Sequence, residues 1–235
     1  MSLRVIDSGV LEPHWSAALD HALVDAVRLG VSTSTLHIYR RPPTVSLGYF
    51  QPSESVDRQA AAERGVAVLR RMSGGGTIFN DEGQLIYTLA VEKGLLPQGR
   101  DACLRLACAV VAQAISVLGV TPVLKEPNDV LVRGLKVSGN SQLRSASAVA
   151  LQGTIILSPA QGMDVLRTDA TKVGSLSEIL GREVDLQEAM DALVESFAAT
   201  LNLEASNGRP TEWEGVRAGE LLRRRYGDED FIWGR

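Results

Sequence analysis

Behind Pro13, apolar residues recur at Trp15, Ala18, Leu19, Ala22, Leu23 and Val27 and stop at Gly30, a helical spacing with proline at its start and glycine past its end. This amphipathic helix is expected to pack on a sheet. Leu36–Tyr39 and Thr44–Gly48 are short strand-like runs split by Arg40-Arg41-Pro42-Pro43, and they read as neighbouring antiparallel strands. Val56–Arg64 predicts a short helix stopped by Gly65, and Val66–Arg70 a strand. Thr77–Phe79 and Gln84–Val91 flank the turn-rich Asn80-Asp81-Glu82-Gly83, which predicts a hairpin. A second helix is expected over Asp101–Leu118, then antiparallel strands at Asn128–Val132, Leu135–Gly139 and Val149–Leu157. Beyond Pro159 the pattern is helical, around Leu176–Leu180, Leu186–Leu201 and Val216–Tyr226. No repeat or linker divides residues 1–235, so the expectation is one α+β domain, a largely antiparallel mixed sheet flanked by helices.

Composition narrows the function. With 45% hydrophobic and 22% charged residues in 235, the chain has material for a sizeable core. A net charge of −4 gives no overall basic field, so neither nucleic acid nor a membrane is an expected partner. The most apolar long stretch, Ala107–Val120, is broken by Gln113 and Ser116 and falls short of the ~20 residues that span a bilayer. Asp7 interrupts the N-terminus before an apolar run of signal-peptide length, which makes the cytoplasm the expected compartment. Cys103 and Cys108, five apart on one predicted helix with no C-x-x-C, read as buried inert thiols. His14, His21 and His37 lack the third ligand of a metal site.

Two segments carry candidate chemistry. In Arg70-Arg71-Met72-Ser73-Gly74-Gly75-Gly76-Thr77-Ile78-Phe79, three glycines between strands suit a backbone that must approach a ligand, or else a flexible loop. The flanking arginines and serine offer donors to phosphate or carboxylate. The spacing matches neither G-x-G-x-x-G nor the P-loop. In Glu126-Pro127-Asn128-Asp129-Val130, followed by Leu135-Lys136-Val137-Ser138-Gly139, Lys136 projects opposite to its apolar neighbours. It is either a solvent-facing lysine or a cation that neutralises a phosphate.

Together the segments resemble the lipoate-protein ligase branch of the biotin and lipoate ligase superfamily, from about Leu36 to Leu157. The family's arginine plus Ser-Gly-Gly-Gly loop matches Arg71, Ser73, Gly74, Gly75 and Gly76, and its Lys-Val-Ser-Gly matches Lys136, Val137, Ser138 and Gly139. Thr44–Gln51 looks like the family's pocket-forming strand ending in Gly-x-x-Gln, and Thr171–Leu176 and Arg225-Tyr226-Gly227 are weaker echoes. The resemblance implies a biotin/lipoate ligase catalytic-domain fold and ATP-dependent attachment of lipoate or octanoate to a carrier lysine through an acyl-adenylate. The implied carriers are lipoyl domains of 2-oxoacid dehydrogenase E2 subunits or the glycine cleavage H protein. Lys136 is implied as catalytic, at the adenylate phosphate and carbonyl. Arg71 and Ser73 would position the acyl-phosphate, and Gly74 to Gly76 would line the acyl chain. Asn128 and Asp129 would meet the nucleotide, Asp129 through Mg²⁺. Thr77, Ile78, Asn80, Ser138, Gly139, Gln152, Gly153 and Thr154 are carried over as further substrate- and adenylate-binding positions. Asn80 and Gln152 stand where the family often has histidine, which removes protonation chemistry there. The family's C-terminal accessory domain is expected to be absent, and a separate chain could supply it. Related octanoyltransferases use a cysteine nucleophile, and neither Cys103 nor Cys108 is near Lys136 in sequence. The alternatives are a transferase using a preactivated acyl group and a non-catalytic acyl- or adenylate-binding protein. Recognition of an acidic carrier would depend on a local patch around residues such as Arg40, Arg41, Arg70 and Arg144.

Overall fold

The computed structural model describes residues 2–160, 165–166 and 172–234, so Thr171 lies outside the described residues. Among these, the strands form two sheets. The larger, eight-stranded, joins β1 (Ser2–Val10), β2 (Thr35–Arg40), β6 (Gln84–Glu92), β7 (Pro122–Lys125), β8 (Asp129–Val132), β9 (Leu135–Arg144), β10 (Ala148–Ile156) and β11 (Glu204–Asn207). Its order is β11-β1-β2-β6-β10-β9-β8-β7. The β11–β1 and β1–β2 pairs are parallel and the rest antiparallel. The smaller sheet has β3 (Thr44–Leu47) between β4 (Ala67–Arg70), parallel, and β5 (Ile78–Asn80), antiparallel.

The helices are α1 (Pro13–Arg28), α2 (Arg58–Glu63), α3 (Arg100–Val117), α4 (Leu176–Leu180), α5 (Leu186–Leu201), α6 (Glu212–Leu221) and α7 (Glu229–Trp233). None of the described helices is long and apolar enough to cross a membrane. On one face of the large sheet, Ala107 and Val111 of α3 and Leu193 and Phe197 of α5 pack on Leu36, Leu89 and Leu151. On the other, Ala18, Ala22 and Leu23 of α1 meet Ala90 and Ala150, whose small side chains let the helix sit close to the strands. β6 and β10, covered on both faces, are therefore buried almost throughout rather than alternating.

Two expected pairings are corrected. β2 and β3 are not neighbours, because β1 and β6 occupy both edges of β2 and the Pro42-Pro43 break sends β3 into the other sheet. Thr77–Phe79 and Gln84–Val91 form no hairpin. The Asn80–Gly83 turn carries the chain from β5 to β6 across the two sheets, with Asn80 donating to Gln84 Oε1 at 2.8 Å. β1, β7 and β11 were not expected. α6 begins at Glu212 rather than Val216, started by a Thr211/Glu214 capping box, and a wider helical turn continues it to Tyr226.

Candidate functional site

The adjacent arginines at the end of β4 point opposite ways, as strand alternation requires. Arg70 is fully buried and donates to the carbonyls of Gly48 (3.0 Å), Gln51 (2.6 Å) and Ile232 (2.7 Å), tying the β3 exit to the C-terminal helix. Arg71 turns into the loop, donating to Ser46 O (2.8 Å), Gly74 O and Gly76 O (both 2.7 Å). Burial, with Arg41 alongside, pushes the Arg71 pKa down to about 10, so it remains a cation at neutral pH. Gly75 takes φ +88°, and a Cβ on Gly48 would stand 1.9 Å from Gly75 O. The glycine loop is therefore rigidly held: Tyr49 N–H donates to Ser73 O at 2.9 Å, and the Ser73 hydroxyl bonds Ser141 of β9 at 2.9 Å.

Loop and large sheet enclose a cavity of about 480 Å3. Of the sequence-derived residues, Arg71, Gly75, Gly76, Thr77, Ile78, Asn80, Asn128, Lys136, Gly139, Gln152, Gly153 and Thr154 line it. Ser73, Gly74, Asp129 and Ser138 are not part of its lining. Lys136 Nζ lies 2.6 Å from Asp129 Oδ1 in a half-buried pair, and Gly139 leaves room for the lysine, since a Cβ there would be 3.0 Å from Nζ. A register shift between Val130 and Leu131 lets Asp129 face Gly139 while Leu131 faces Lys136. Val173 runs parallel to Lys136, whose N–H donates to Lys172 O at 2.9 Å. Asn128 Nδ2 donates to Asn140 O at 2.7 Å. Gln51 does not line the cavity; its carbonyl serves Arg70 instead.

The opposite end holds residues the sequence reading missed. Asp20 of α1, 1% exposed, accepts from His37 (2.8 Å), Tyr39 OH (2.8 Å) and Gln152 Nε2 (2.9 Å). Its signal was an acid on the apolar helix face, one turn from Leu23 and Val24. Arg41 donates to Tyr39 OH at 2.6 Å, with its guanidinium carbon 5.2 Å from the ring centroid. Two of the four arginines named for a surface patch are not at the surface. Arg41 and Arg70 are buried, and Arg144 donates to Cys103 Sγ at 2.9 Å. A guanidinium that finds carbonyl or ring partners is lost to solvent.

Both cysteines are buried on α3, and neither lines the cavity. Burial pushes the Cys108 thiol up to about 11, against a weaker opposing effect of Asn140 donating to Sγ at 3.3 Å. Among the described residues, no three His, Cys, Asp or Glu side chains cluster to hold a metal.

Comparison with known proteins bears on this arrangement. The sequence model of a family described as lipoyl protein ligase A/B catalytic domain matches residues 12–198. The octanoyltransferase LipM of Moorella thermoacetica is 29% identical, over 97% of this chain and 97% of that one. A lipoate-protein ligase A solved with ATP superposes with a TM-score of 0.89 at 23% identity, covering 100% of this chain and 99% of that one. A bipartite lipoate protein ligase from Thermoplasma acidophilum, studied with its E2 lipoyl domain, gives 0.88 at 22% identity, covering 100% and 97%.

Proposed function

Because the chain belongs to the lipoyl protein ligase A/B catalytic-domain family of acyl-transferring enzymes, we propose that it is an ATP-dependent ligase that attaches lipoate or octanoate to a lysine of a lipoyl domain. The observation that carries this choice is the placement of the thiols. A transfer route through an acyl-cysteine needs an accessible, acidified thiol. Cys108 is the reverse, buried and pushed up to about 11, and no cysteine lines the cavity. The cavity wall instead presents Lys136 beside Asp129 and a rigid loop of backbone groups.

In the first step the acyl carboxylate attacks the α-phosphate of ATP, forming the acyl-phosphate bond and releasing pyrophosphate. In the second, the carrier lysine's neutral amine attacks the acyl carbonyl. The amide forms, AMP leaves with the bonding pair, and the amine proton passes to solvent. Lys136 stabilises charge on the phosphate and then on the carbonyl oxygen. Asp129 holds the ammonium in place, while Arg71, through Gly74 and Gly76, keeps the acyl-side loop from yielding. Asp129, the carboxylate beside Lys136, would hold Mg²⁺ together with the nucleotide's phosphates, and the ion would supply charge neutralisation.

The second reading, an octanoyltransferase, is favoured by the LipM relative that aligns over 97% of both chains. An apo lipoyl domain incubated with the chain and Mg²⁺ separates the two by intact mass. ATP with octanoate or lipoate should add the acyl group. Acylation from octanoyl carrier protein alone would overturn the ligase reading, and acylation only from preformed acyl-adenylate would indicate a separate chain for adenylation.

A further inference from the structure

Asp20 is a buried carboxylate that neither acyl-transfer step uses. It pins α1 to the large sheet. His37 and Tyr39 OH of β2 donate to it, both at 2.8 Å, and Gln152 Nε2 of β10 donates at 2.9 Å from the far side of β6. Arg41 donates to the same Tyr39 hydroxyl at 2.6 Å, so the opposite charges of Asp20 and Arg41 meet through that oxygen. The Asp20 oxygens and the Tyr39 hydroxyl are thereby committed to one another rather than to a ligand.

Ala17 lies one helical turn before Asp20, on the same face of α1, and lines the cavity together with Met72. Both are buried in one apolar cluster. Lys136 stands at the other end. It precedes Ser138, the β9 residue paired with Ile155 of β10, whereas Gln152 lies three residues further along β10, and β2 lies three strands from β9. The ends are thus separated by about 10 Å along the strands and up to about 14 Å across them. Between them Thr154 and Ile86, opposite each other on β10 and β6, form part of the floor. An acyl chain with its carboxyl at Lys136 therefore runs with its methyl end towards α1. Met72 is unbranched and can move aside, but Ala17 rides on a helix tied to two strands and cannot.

We propose that Ala17 is the specificity-determining residue for acyl-chain length, the stop against which the methyl end of the chain abuts. Each methylene buried before that stop adds affinity, and the first one beyond it overfills a wall that does not yield. The proposal rests on the reading of the cavity as an acyl pocket, not on how the acyl group is activated.

Calorimetric titration of hexanoate, octanoate, decanoate and dodecanoate into the full chain tests it without turnover. Affinity for the parent should rise about fourfold per added methylene through octanoate. It should fall by about tenfold at the first acid that overfills the pocket, no later than dodecanoate. Ala17→Leu should move that break to a shorter acid while binding hexanoate nearly as well, and Ala17→Gly should move it to a longer one. Four results would overturn the proposal: no binding of any acid by the parent, a parental rise that continues through dodecanoate, a break in Ala17→Leu at the same acid as in the parent, or equal weakening of all four acids. Should Ala17→Leu fail to fold, Ala17→Gly decides alone, and a break left where the parent has it would count against the proposal. Lipoyl-domain acylation with ATP is scored separately. No adduct from any acid, with the shifts in chain length intact, sinks the ligase reading and leaves this one standing.

Discussion

Gly48→Ala puts the rigidity of the glycine loop to a direct test. The new Cβ would lie 1.9 Å from Gly75 O, 2.9 Å from Gly75 C and 3.2 Å from an Arg71 terminal nitrogen. Since Cβ atoms essentially never approach another heavy atom closer than 3.0 Å, loop and strand must part by about 1 Å. Both are braced, the loop by Arg71 and Ser141, the strand exit by Arg70, so the movement cannot dissipate. Overpacking of this kind costs about 1–3 kcal/mol, which for a chain of this size lowers Tm by roughly 2–12 °C. A displacement of ~1 Å in a positioning loop costs on the order of a hundredfold in rate. The assay is thermal melting together with acyl transfer to a lipoyl domain as a function of acyl substrate. Gly215→Ala, on α6 with nothing within 4 Å, is the control and should melt no lower than the parent. A Gly48→Ala protein with unchanged Tm and kcat/KM within about threefold of the parent would refute the reasoning.

Lys136→Ala should lower single-turnover acylation by roughly 10²–10³ with Tm little changed; near-parental turnover would remove Lys136 from the chemistry. Arg70→Met strips a charged donor from three buried carbonyls and should cost about 3–5 kcal/mol, read as a lower midpoint in urea; a midpoint within error of the parent would show that the carbonyls find other donors. The Cys108 thiol is raised from 9.0 to about 11, so between those pH values the folded chain keeps a proton the unfolded chain has lost. Stability from this group is full below pH 9 and is lost as pH rises towards 11, whereas Cys108→Ala should flatten that part of the Tm–pH curve; an equally steep fall in the variant would contradict the assignment.

Elements with strong periodicity were legible: α1, α3 and the β8–β9–β10 meander lie where apolar spacing puts them, and the loop and Lys136 come together as their motifs suggest. Pairing was not. The Asn80–Gly83 turn chemistry suits a hairpin, but β6 is buried over eight of its nine residues and needs long partners on both sides, which three-residue β5 cannot provide. β11 was invisible because all four of its residues, Glu204–Asn207, are exposed and carry no alternation. Arg41 and Arg70 were placed at the surface because arginine is seldom fully buried. Only the folded chain assembles the carbonyls of Gly48, Gln51 and Ile232 that make burial of Arg70 tolerable.

β1 is flanked by β2 and β11, and its outer partner begins two hundred residues downstream, at Glu204. During synthesis β1 therefore keeps one row of backbone groups open until some two hundred further residues have been made. An open edge of that kind can pair with another nascent chain. Closing so large a loop also comes late and slowly, because its entropy must be overcome before the ladder contributes. Ribosome-bound chains ending before residue 204 should thus be the aggregation-sensitive stage of biogenesis, and the four-residue β11 serves the protein as a closing seam.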